Sequence, residues 1–251
     1  MNKERTTLIA EYIINKGDAS VEELARKFNV SEVTIRRDLS KLEKKGIISK
    51  YYGGVKPALE NMSNFTLRLN ENLCGKDRIA YKAGELIEEN DIIFIDSGTT
   101  AAKLLDNIDQ FINLTIFTNN LSIVNKAVNM PNVDIVLIGD FYSRISNSFI
   151  YRSNFSKLNY ENLNIDKAFI SASGITIDKG LTNRNPLEQE IKASASKISD
   201  KIYSIMDSSK FDNFYMLKVL DLKDLDILVT DKKPSEEYTE YLKKNKIKLI
   251  Y

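Results

Sequence analysis

The sequence contains no histidine and no tryptophan, and it has one cysteine, Cys74, and four prolines in 251 residues. The absence of histidine excludes Ser-His-Asp and Cys-His catalysis and His-ligated metals. A single cysteine cannot form an intrachain disulfide or a cysteine-ligated zinc site. We therefore expect no cofactor, no metal site and a reducing, cytoplasmic setting. Any catalysis would have to depend on Asp, Glu, Lys, Tyr or Cys74.

Long apolar runs are also missing. No stretch approaches the roughly 18 uninterrupted apolar residues that a membrane span requires, and the N-terminal residues do not lead into a signal-peptide core. We therefore expect no membrane partner. The overall composition, 43% hydrophobic and 28% charged, is typical of a globular protein, and the length favours one or two domains.

Charge is distributed unevenly along the chain. Residues 1–58 contain 12 basic and 8 acidic residues, a net charge of +4, whereas the remaining 193 residues contain 24 basic and 27 acidic residues, a net charge of −3. A small basic module joined to a mildly acidic larger one suggests that only the first part meets a polyanion. Charge alone leaves a chance fluctuation open as the alternative.

Three short helical patterns follow one another in the first 45 residues. The first has an apolar stripe over residues 8–13 and ends at Gly17. The second begins with a capping box, in which Ser20 and Glu23 can each bond a free backbone N–H. The third begins at Ser31, a plausible N-cap, after a tight turn.

The third helix has two chemically different faces. Ile35, Leu39 and Leu42 form an apolar stripe. The opposite face and its flanks carry Val33, Thr34, Arg36, Arg37, Ser40 and Lys44. A helix–tight turn–helix pair places its second helix in the DNA major groove, where an arginine can bond guanine bidentately, worth about 1–3 kcal/mol of discrimination. The alternative is a solvated charged face on an ordinary helix.

A β-hairpin follows this helix. Residues 47–52 have the pattern of a short strand, and Gly53-Gly54 form a turn. Such a hairpin behind a helix-turn-helix is a wing, and Lys50, Tyr51 and Tyr52 would lie against the phosphate backbone. The hairpin therefore favours a DNA-binding role.

Three segments resemble the signature of the DeoR family of bacterial transcriptional regulators. They are residues 30–39, which end in Thr-Ile-Arg-Arg-Asp-Leu, residues 42–46, and Gly53-Gly54. The resemblance implies a winged helix-turn-helix in which Ser31, Thr34, Arg36 and Arg37 face DNA. Asp38 is expected to be a local structural partner, because phosphates repel a carboxylate.

A polar, irregular segment separates this module from the rest of the chain. Pro57 disfavours helix at the preceding residue, so we place a boundary there. The predicted organisation is a DNA-binding domain at 1–57, a linker at 58–75 and a second domain at 76–251. Phe65, Leu67 and Leu69 suggest that the linker docks as an extended piece.

Strand and helix patterns alternate in the second domain. Aliphatic runs predict strands at Ile92–Ile95, Thr115–Phe117, Val133–Ile138, Ala168–Ile170, Ile202–Ile205, Ile227–Val229 and Ile247–Ile250. Helical patterns lie at Arg78–Glu89, Thr99–Leu105, Leu121–Val128, Pro186–Ser199 and Ser235–Lys244. This alternation predicts a mostly parallel sheet covered on both faces. The predicted fold class is therefore α/β, an N-terminal winged helix-turn-helix followed by a mostly parallel α/β sheet domain.

Small polar residues follow four of these strands, at 96–100, 118–120, 171–174 and 207–210. In open α/β sheets, ligands bind at the carboxyl ends of the strands. Gly98 allows close backbone approach, and free N–H groups and hydroxyls around it can surround an anion. Each segment alone could be an ordinary turn. Four at one sheet edge favour a site for a phosphorylated polyol.

This half resembles the DeoR effector domain, which is similar to ribose-5-phosphate isomerase and glucosamine-6-phosphate deaminase. The matching strings are 96–100, 118–120, Gly174 with 180–182, Glu188 with Lys192, and 207–211. The resemblance implies an effector site made of Asp96, Ser97, Gly98, Thr99, Thr100, Thr118, Asn119, Gly174 and Lys210. In that site residues 97–100 would cradle the phosphate, Lys210 would face the ligand, and Thr118 and Asn119 would line the sugar.

The chain departs from the family pattern at two places. Gly139 is followed by Asp140, where the family commonly has a second glycine. A further family glycine is expected soon after a serine, but Ser148 is followed by Phe149, Ile150 and Tyr151. Both departures lie near the expected mouth of the pocket, so no particular sugar is carried over from the family.

The sequence therefore predicts a DNA-binding transcriptional regulator, a repressor of sugar-metabolism genes whose DNA affinity responds to a phosphorylated sugar. The alternative is an isomerase-like enzyme that carries a DNA-binding domain. Residues 173–176 have hydroxyls where those enzymes carry Asp, which disfavours catalysis, although Asp96 and Asp207 remain candidate bases. The expected partners are double-stranded operator DNA, a phosphorylated sugar and further copies of the chain, because one module offers few DNA contacts.

Overall fold

The computed structural model describes residues 2–44, 47–51, 53–57, 64–151 and 163–251. The chain divides into two compact units, Met1–Leu73 and Cys74–Tyr251. The elements of the first unit are Asn2–Lys16 (α1), Val21–Phe28 (α2), Glu32–Lys44 (α3), Ile48–Tyr51 (β1), Gly54–Pro57 (β2) and Asn64–Asn70 (α4).

The three predicted N-terminal helices are confirmed, and their ends have the expected chemistry. Gly17 follows α1 with a φ of 90°, a conformation that glycine adopts without strain. The Ser20 hydroxyl accepts a hydrogen bond from the backbone N–H of Glu23 at 3.1 Å and so caps α2. Asn29, with a φ of 50°, makes the tight turn into α3.

One apolar core holds these helices together. Ile35, Leu39 and Leu42 on α3 are buried, as the apolar stripe predicts, and they belong to one cluster with Ile9 and Ile13 of α1. Because this stripe is buried, the opposite side of α3 faces outward.

The predicted wing is present as an antiparallel pair. Strand β1 pairs with β2 in the register Lys50 opposite Val55. Val55 also forms a bridge to Ala19, in the segment before α2, so the hairpin is fixed to the helical core.

The connector after the wing differs from expectation. Residues 64–70 form the helix α4, so the prediction of an extended piece is wrong for this segment. Phe65 is buried, and its i, i+4 spacing to Leu69 suits a helical turn as well as a strand. Packing against α1 decides between the two. The boundaries proposed at residues 57 and 75 stay a prediction.

The second unit is built on a seven-stranded sheet in which every adjacent pair is parallel. Its strands are Ile92–Ile95 (β3), Leu114–Thr118 (β4), Val133–Leu137 (β5), Ile165–Ile170 (β8), Ser199–Ile205 (β11), Ile227–Val229 (β13) and Lys248–Ile250 (β14). The order is β14-β13-β11-β8-β3-β4-β5. All seven correspond to the predicted strands, and the predicted fold class is confirmed.

The sheet is buried on both faces. Within β3, Phe94 belongs to one apolar cluster and its neighbours Ile93 and Ile95 belong to the other. The same alternation places Ile170 and Phe169 of β8 in different clusters. This double burial explains why the strands are nearly continuous aliphatic runs.

The helices of the second unit are Leu73–Gly84 (α5), Leu121–Ala127 (α6), Pro186–Lys197 (α7) and Glu236–Lys244 (α8). Smaller paired strands lie at Phe141–Ser143 (β6) and Ser148–Ile150 (β7), and at Gly174–Thr176 (β9), Gly180–Asn183 (β10) and Leu217–Leu220 (β12). These short strands lack a clear alternating pattern, so the sequence does not predict them.

Two predicted helices need correction. The pattern at Arg78–Glu89 begins earlier and ends at Gly84, because the residues after it close tight i→i+3 turns, such as Ile87 N–H to Gly84 O at 3.1 Å. The pattern at Thr99–Leu105 forms a six-residue 3-10 helix, Ala101–Asp106. Four of its six residues are buried, which suits the tighter coil of a short connector.

None of the helices in the described residues is both long enough and apolar enough to cross a membrane.

Candidate functional sites

The outward face of α3 carries exposed side chains of the predicted types. Val33 is 77% exposed although it is aliphatic, and Arg36, Arg37 and Lys44 are also exposed. Among the described residues, Arg37 and Lys44 have no carboxylate partner. This face therefore presents three cations to solvent, two of them without a carboxylate partner among the described residues, together with the apolar side chain of Val33.

The hydroxyl residues of α3 are partly engaged within the helix. The Ser31 hydroxyl accepts a hydrogen bond from the Thr34 N–H at 3.3 Å and lies 3.0 Å from the Thr34 hydroxyl, so Ser31 caps the helix start. The Ser40 hydroxyl donates to the Arg36 carbonyl at 2.8 Å. These residues share the exposed side with Arg37.

The wing meets this face through a lysine. Lys50 Nζ donates to the Ser40 hydroxyl at 3.0 Å and lies 2.7 Å from Glu43 Oε2. Arg36 is similarly placed 3.2 Å from Glu32, one helical turn away. The structure thus brings the predicted cations of α3 and β1 to one surface, where two of them contact acids of the protein.

The wing tyrosines are described in part. Tyr51 is exposed, and its hydroxyl donates to Asp18 at 2.5 Å. This hydrogen bond raises the pKa of Tyr51. Tyr52, also predicted to contact DNA, lies outside the described residues.

Asp38 is the structural partner that its position suggests. Its carboxylate is fully buried and accepts from Arg5 of α1, with Nε 2.9 Å from Oδ2. Asp38 therefore lies on the inward side of α3, away from the exposed cations.

In the second unit, a buried polar network occupies the carboxyl end of β3. Asp96 Oδ1 accepts from the Ser97 N–H at 2.7 Å, and Asp96 Oδ2 accepts from the Ser171 N–H at 3.0 Å. Lys192 of α7 donates to the same Oδ2. Its ammonium also donates to the Ser171 carbonyl, at 3.0 Å. The Asp96 carboxylate therefore braces the loop that follows β3 against β8 and α7.

Gly98 is required by this packing. A Cβ at residue 98 would lie 1.9 Å from the Ser171 hydroxyl, far inside any allowed contact. Ser171 is the first residue after β8, so close approach of two strand ends selects glycine here. The group that approaches Gly98 in the structure is the Ser171 side chain. Close approach of an anion to the Gly98 backbone stays a prediction. Thr99 and Thr100, which follow Gly98 in the predicted cradle, are also buried.

The segment after β4 connects to the same loop. The Thr118 hydroxyl donates to the Ile95 carbonyl at 2.6 Å, and the Asn120 amide donates to the Asp96 carbonyl at 3.1 Å. The Asn119 amide donates to the Phe149 carbonyl of β7 at 3.0 Å, while its own Oδ1 is buried and has no hydrogen-bond partner in the part of the chain that the structure describes. Asn119 thus has an acceptor that a ligand hydroxyl could satisfy.

Gly174 and Lys210 are held by other loops of this edge. A Cβ at Gly174 would lie 2.2 Å from the Asn213 carbonyl oxygen, so the chain after β11 packs closely there. Lys210 is half-buried, with its Nζ 4.0 Å from Asp207. Asp207 accepts from the Ser209 N–H at 3.0 Å and is itself buried.

Two residues of the network, Ser171 and Lys192, were not among the predicted site residues. Lys192 is almost completely buried although it is a lysine on a helix. The available signal was its place directly after Ile191 and three residues before Ala195, both of which are buried on α7. A lysine within an apolar stripe needs a buried anion as its partner.

The departures from the family pattern fall on the hairpin β6–β7. Gly139 has a φ of 106°, and a Cβ there would lie 2.7 Å from the Ile150 nitrogen. The Asp140 N–H donates to the Ile150 carbonyl at 3.1 Å, and Tyr151 is buried. The hairpin also meets the strand end, because the Phe149 N–H donates to the Asn119 carbonyl at 2.8 Å.

A winged helix-turn-helix unit with an exposed cationic helix, followed by a parallel α/β unit with a polar strand edge, defines a transcriptional regulator with a DNA-reading unit and a sensor unit. Residues 5–59 match the DeoR-like helix-turn-helix domain, and residues 71–232 match the DeoR C terminal sensor domain. The chain belongs to the DeoR family of transcriptional regulators.

Two curated relatives align over nearly the whole chain. The HTH-type transcriptional regulator IolR of Bacillus subtilis (strain 168) is 39% identical over 251 residues, which cover 98% of each chain. The L-fucose operon activator of Haemophilus influenzae is 30% identical over 254 residues, again 98% of each chain. A solved ribose 5-phosphate isomerase A from Methanocaldococcus jannaschii aligns with a TM-score of 0.38 and 14% identity, covering 56% of this chain and 55% of that one. A likeness of that strength carries no argument about function.

Proposed function

We propose that this regulator is a cytoplasmic repressor of carbohydrate-metabolism genes that binds operator DNA through α3 and the wing. A phosphorylated sugar at the carboxyl edge of the parallel sheet would change its DNA affinity. The protein would act as a homo-oligomer on repeated half-sites. The compartment follows from the partner, since a bacterial operator is chromosomal DNA.

The exposed face of α3 is the observation that carries the DNA-binding part. Arg37 projects from it without a carboxylate partner among the described residues, so its guanidinium is available for a guanine edge. The hydrophobic stripe of Ile35, Leu39 and Leu42 is buried on the opposite side and fixes the orientation of the helix. Lys50 would add a phosphate contact that positions the protein without reading sequence.

The ligand part is supported by the strand-end segments. Within the proposed cradle of residues 97–100, the Ser97 N–H is already bonded to Asp96, and the N–H groups and hydroxyls of Thr99 and Thr100 suit a phosphate. Asn119 Oδ1, which has no hydrogen-bond partner among the described residues, suits a sugar hydroxyl. Lys210 would supply a cation near the ligand. In this proposal Asp96 acts indirectly, since its carboxylate is already bonded to Ser97, Ser171 and Lys192.

A sensor is favoured over an enzyme because both candidate bases are engaged. Asp96 is an acceptor for Lys192 and Ser171, and Asp207 caps its own turn through the Ser209 N–H. A carboxylate in such contacts is poorly placed to take a proton from a sugar. Incubating the protein with a panel of pentose, hexose and amino-sugar phosphates tests this, and turnover of any of them would favour the enzyme.

Selection of duplexes from a random pool by the full chain tests the DNA-binding part. Arg37→Ala should lose affinity for the selected sites while its thermal melting stays unchanged. Binding should also weaken by orders of magnitude as salt rises from about 50 to 200 mM, if roughly 6–10 phosphates are engaged. A flat salt response contradicts the proposal.

A thermal-shift screen with the same sugar phosphates tests the sensor part. Thr99→Glu places a carboxylate in the proposed cradle and should abolish the shift given by the active compound, while DNA binding is retained. Thr99→Val, which removes only the hydroxyl, is the milder variant. A normal shift in both variants contradicts the proposed phosphate position.

Regulatory direction and assembly are tested separately. A reporter under the selected operator should be expressed more strongly when the gene for the regulator is deleted; lower expression would indicate an activator. Light scattering of the full chain should give a mass of at least twice the 28.6 kDa of one chain.

A further inference from the structure

Glu43, in the last turn of α3, holds the wing lysine. Its Oε2 lies 2.7 Å from Nζ of Lys50 on β1, and the two side chains are 42% and 37% exposed. The hydrogen bond from Lys50 lowers the pKa of Glu43, so the carboxylate carries a full negative charge at neutral pH. A negative charge therefore lies beside a cation that faces the proposed DNA surface.

Helix stability does not explain a carboxylate at this position. The C-terminal end of a helix carries partial negative charge, which disfavours an acid in the last turn. Glu32, in contrast, lies in the first turn of α3, where the helix dipole favours it.

Placement of the wing does not explain Glu43 either. Strand β1 is paired with β2 along its length, and Ile48 and Val55 are buried in the core of the unit. An exposed ion pair adds little to a hairpin that is held by backbone pairing and apolar burial.

We infer that Glu43 limits the sequence-independent part of DNA binding by competing with DNA phosphate for the Lys50 ammonium. In the free protein the ammonium binds Glu43 and the Ser40 hydroxyl, and it must exchange the carboxylate for a phosphate when a duplex arrives. Phosphate contacts carry no sequence information, so this competition weakens binding to every duplex. The inference rests on the proposed function, since it takes α3 and the wing as the DNA-binding surface.

The test compares the full-length protein with the variants Glu43→Gln, Lys50→Gln and the double variant. The probe is a labelled random-sequence duplex of about 30 base pairs at about 50 mM salt, where the electrostatic part of binding is strong. We expect Glu43→Gln to bind at least about threefold tighter and Lys50→Gln to bind more weakly than wild type. In the Lys50→Gln background, Glu43→Gln should change affinity by less than about 1.5-fold, because the competitor then has no ammonium to hold.

Asp221→Asn is the matched control. Asp221 pairs with Lys218 in the sensor unit, the two side chains are 43% and 52% exposed, and the hydrogen bond from Lys218 lowers the pKa of Asp221. The substitution changes the net charge by the same amount as Glu43→Gln. Its affinity for the duplex should stay within about 1.5-fold of wild type, and all variants should melt within a few degrees of wild type.

The remaining outcomes of this experiment separate failure of the inference about Glu43 from failure of the proposed function. Wild-type binding with no gain in Glu43→Gln would overturn the inference and leave the proposed function standing. An equal gain with and without Lys50, or an equal gain in Asp221→Asn, would reduce the effect to net charge and also overturn it. A wild-type protein that binds no duplex at low salt would overturn the proposed function and the inference together.

Discussion

The guanidinium of Arg5 on α1 holds the buried carboxylate of Asp38 on α3, with Nε and Nη2 at 2.9 and 2.8 Å from the same oxygen, Oδ2. Asp38 directly follows Arg37, which points outward. Neighbouring residues on a helix are separated by about 100°, so one side chain can anchor α3 while the next remains on the surface. The pair links the orientation of the exposed helix face to the first helix of the chain.

Removing the charge of Asp38 should therefore destabilise the first unit. Asp38→Asn is expected to lower the free energy of unfolding by about 1.5–3 kcal/mol, the range for hydrogen bonds to charged groups. Urea denaturation measures the change. Glu22→Gln is the control, because its pair with Arg26 has side chains 65% and 77% exposed and should contribute less than about 1 kcal/mol. Equal effects of the two substitutions would contradict the anchoring role of Asp38.

Lys192 and Asp96 form the corresponding buried pair of the sensor unit. Lys192→Met leaves the Asp96 charge buried without its cation and should cost about 3–5 kcal/mol of stability. The double variant Asp96→Asn with Lys192→Met removes both charges and should be more stable than the single Lys192→Met variant. Chemical denaturation of the three proteins gives the coupling energy, and additive effects would argue against a direct interaction.

Gly98→Ala should disrupt the loop after β3, because its Cβ would lie 1.9 Å from the Ser171 hydroxyl. We expect a lower melting temperature and loss of any sugar-phosphate response. Ser171→Gly removes the obstructing side chain, so the double variant Gly98→Ala with Ser171→Gly should be more stable than Gly98→Ala alone. Gly84→Ala is the control, since its nearest contact is the flexible Ile108 side chain at 3.3 Å and alanine favours the helix. A melting temperature of Gly98→Ala equal to wild type would contradict the packing described for the loop.

We expect the buried hydroxyl of Tyr238 to make the protein lose folding stability at alkaline pH. Burial raises the pKa of its hydroxyl, which lies 3.0 Å from both the Ile175 carbonyl and Asp212 Oδ1. Because the folded-state pKa lies above the unfolded value of about 10, the contribution is fully present below that pH. It is lost as the pH rises through the folded value.

The difference in unfolding free energy between wild type and Tyr238→Phe isolates this contribution. The phenylalanine cannot ionise, so the wild type should lose its advantage progressively above about pH 10. Urea denaturation at several pH values measures the difference. A difference that stays constant with pH would contradict the raised pKa.

The parts of the fold that could be predicted are those with strong local patterns. The stripe of α3 has helical period, the capping box at Ser20 has a defined bond, and each aliphatic run of the sheet is long enough to be buried on both faces. Element boundaries were less predictable. The local pattern predicts a start for helix α5 that is several residues too late. The spacing in residues 64–70 fits both a strand and a helix, and contacts with α1 accompany the helix that forms there.

The candidate sensor site was predicted as a set of strand ends, and its internal connections were not. Nothing in the local sequence joins Asp96 to Lys192, which lies 96 residues later, or places Ser171 against Gly98. Parallel strands bring distant segments to one edge, so such partners become visible only when the sheet is assembled.

Local periodicity, capping chemistry and family motifs were thus enough to define the two-part architecture and the class of regulator from the amino acids alone. Those signals act over a few residues, and burial of apolar stripes turns them directly into helices and strands. The tertiary structure decided which polar groups have partners within the protein: Lys50 pairs with Glu43 and Asp96 pairs with Lys192, whereas Arg37 has no carboxylate partner among the described residues. The reason is that ion pairs and hydrogen bonds depend on distances across space, which sequence separation does not determine.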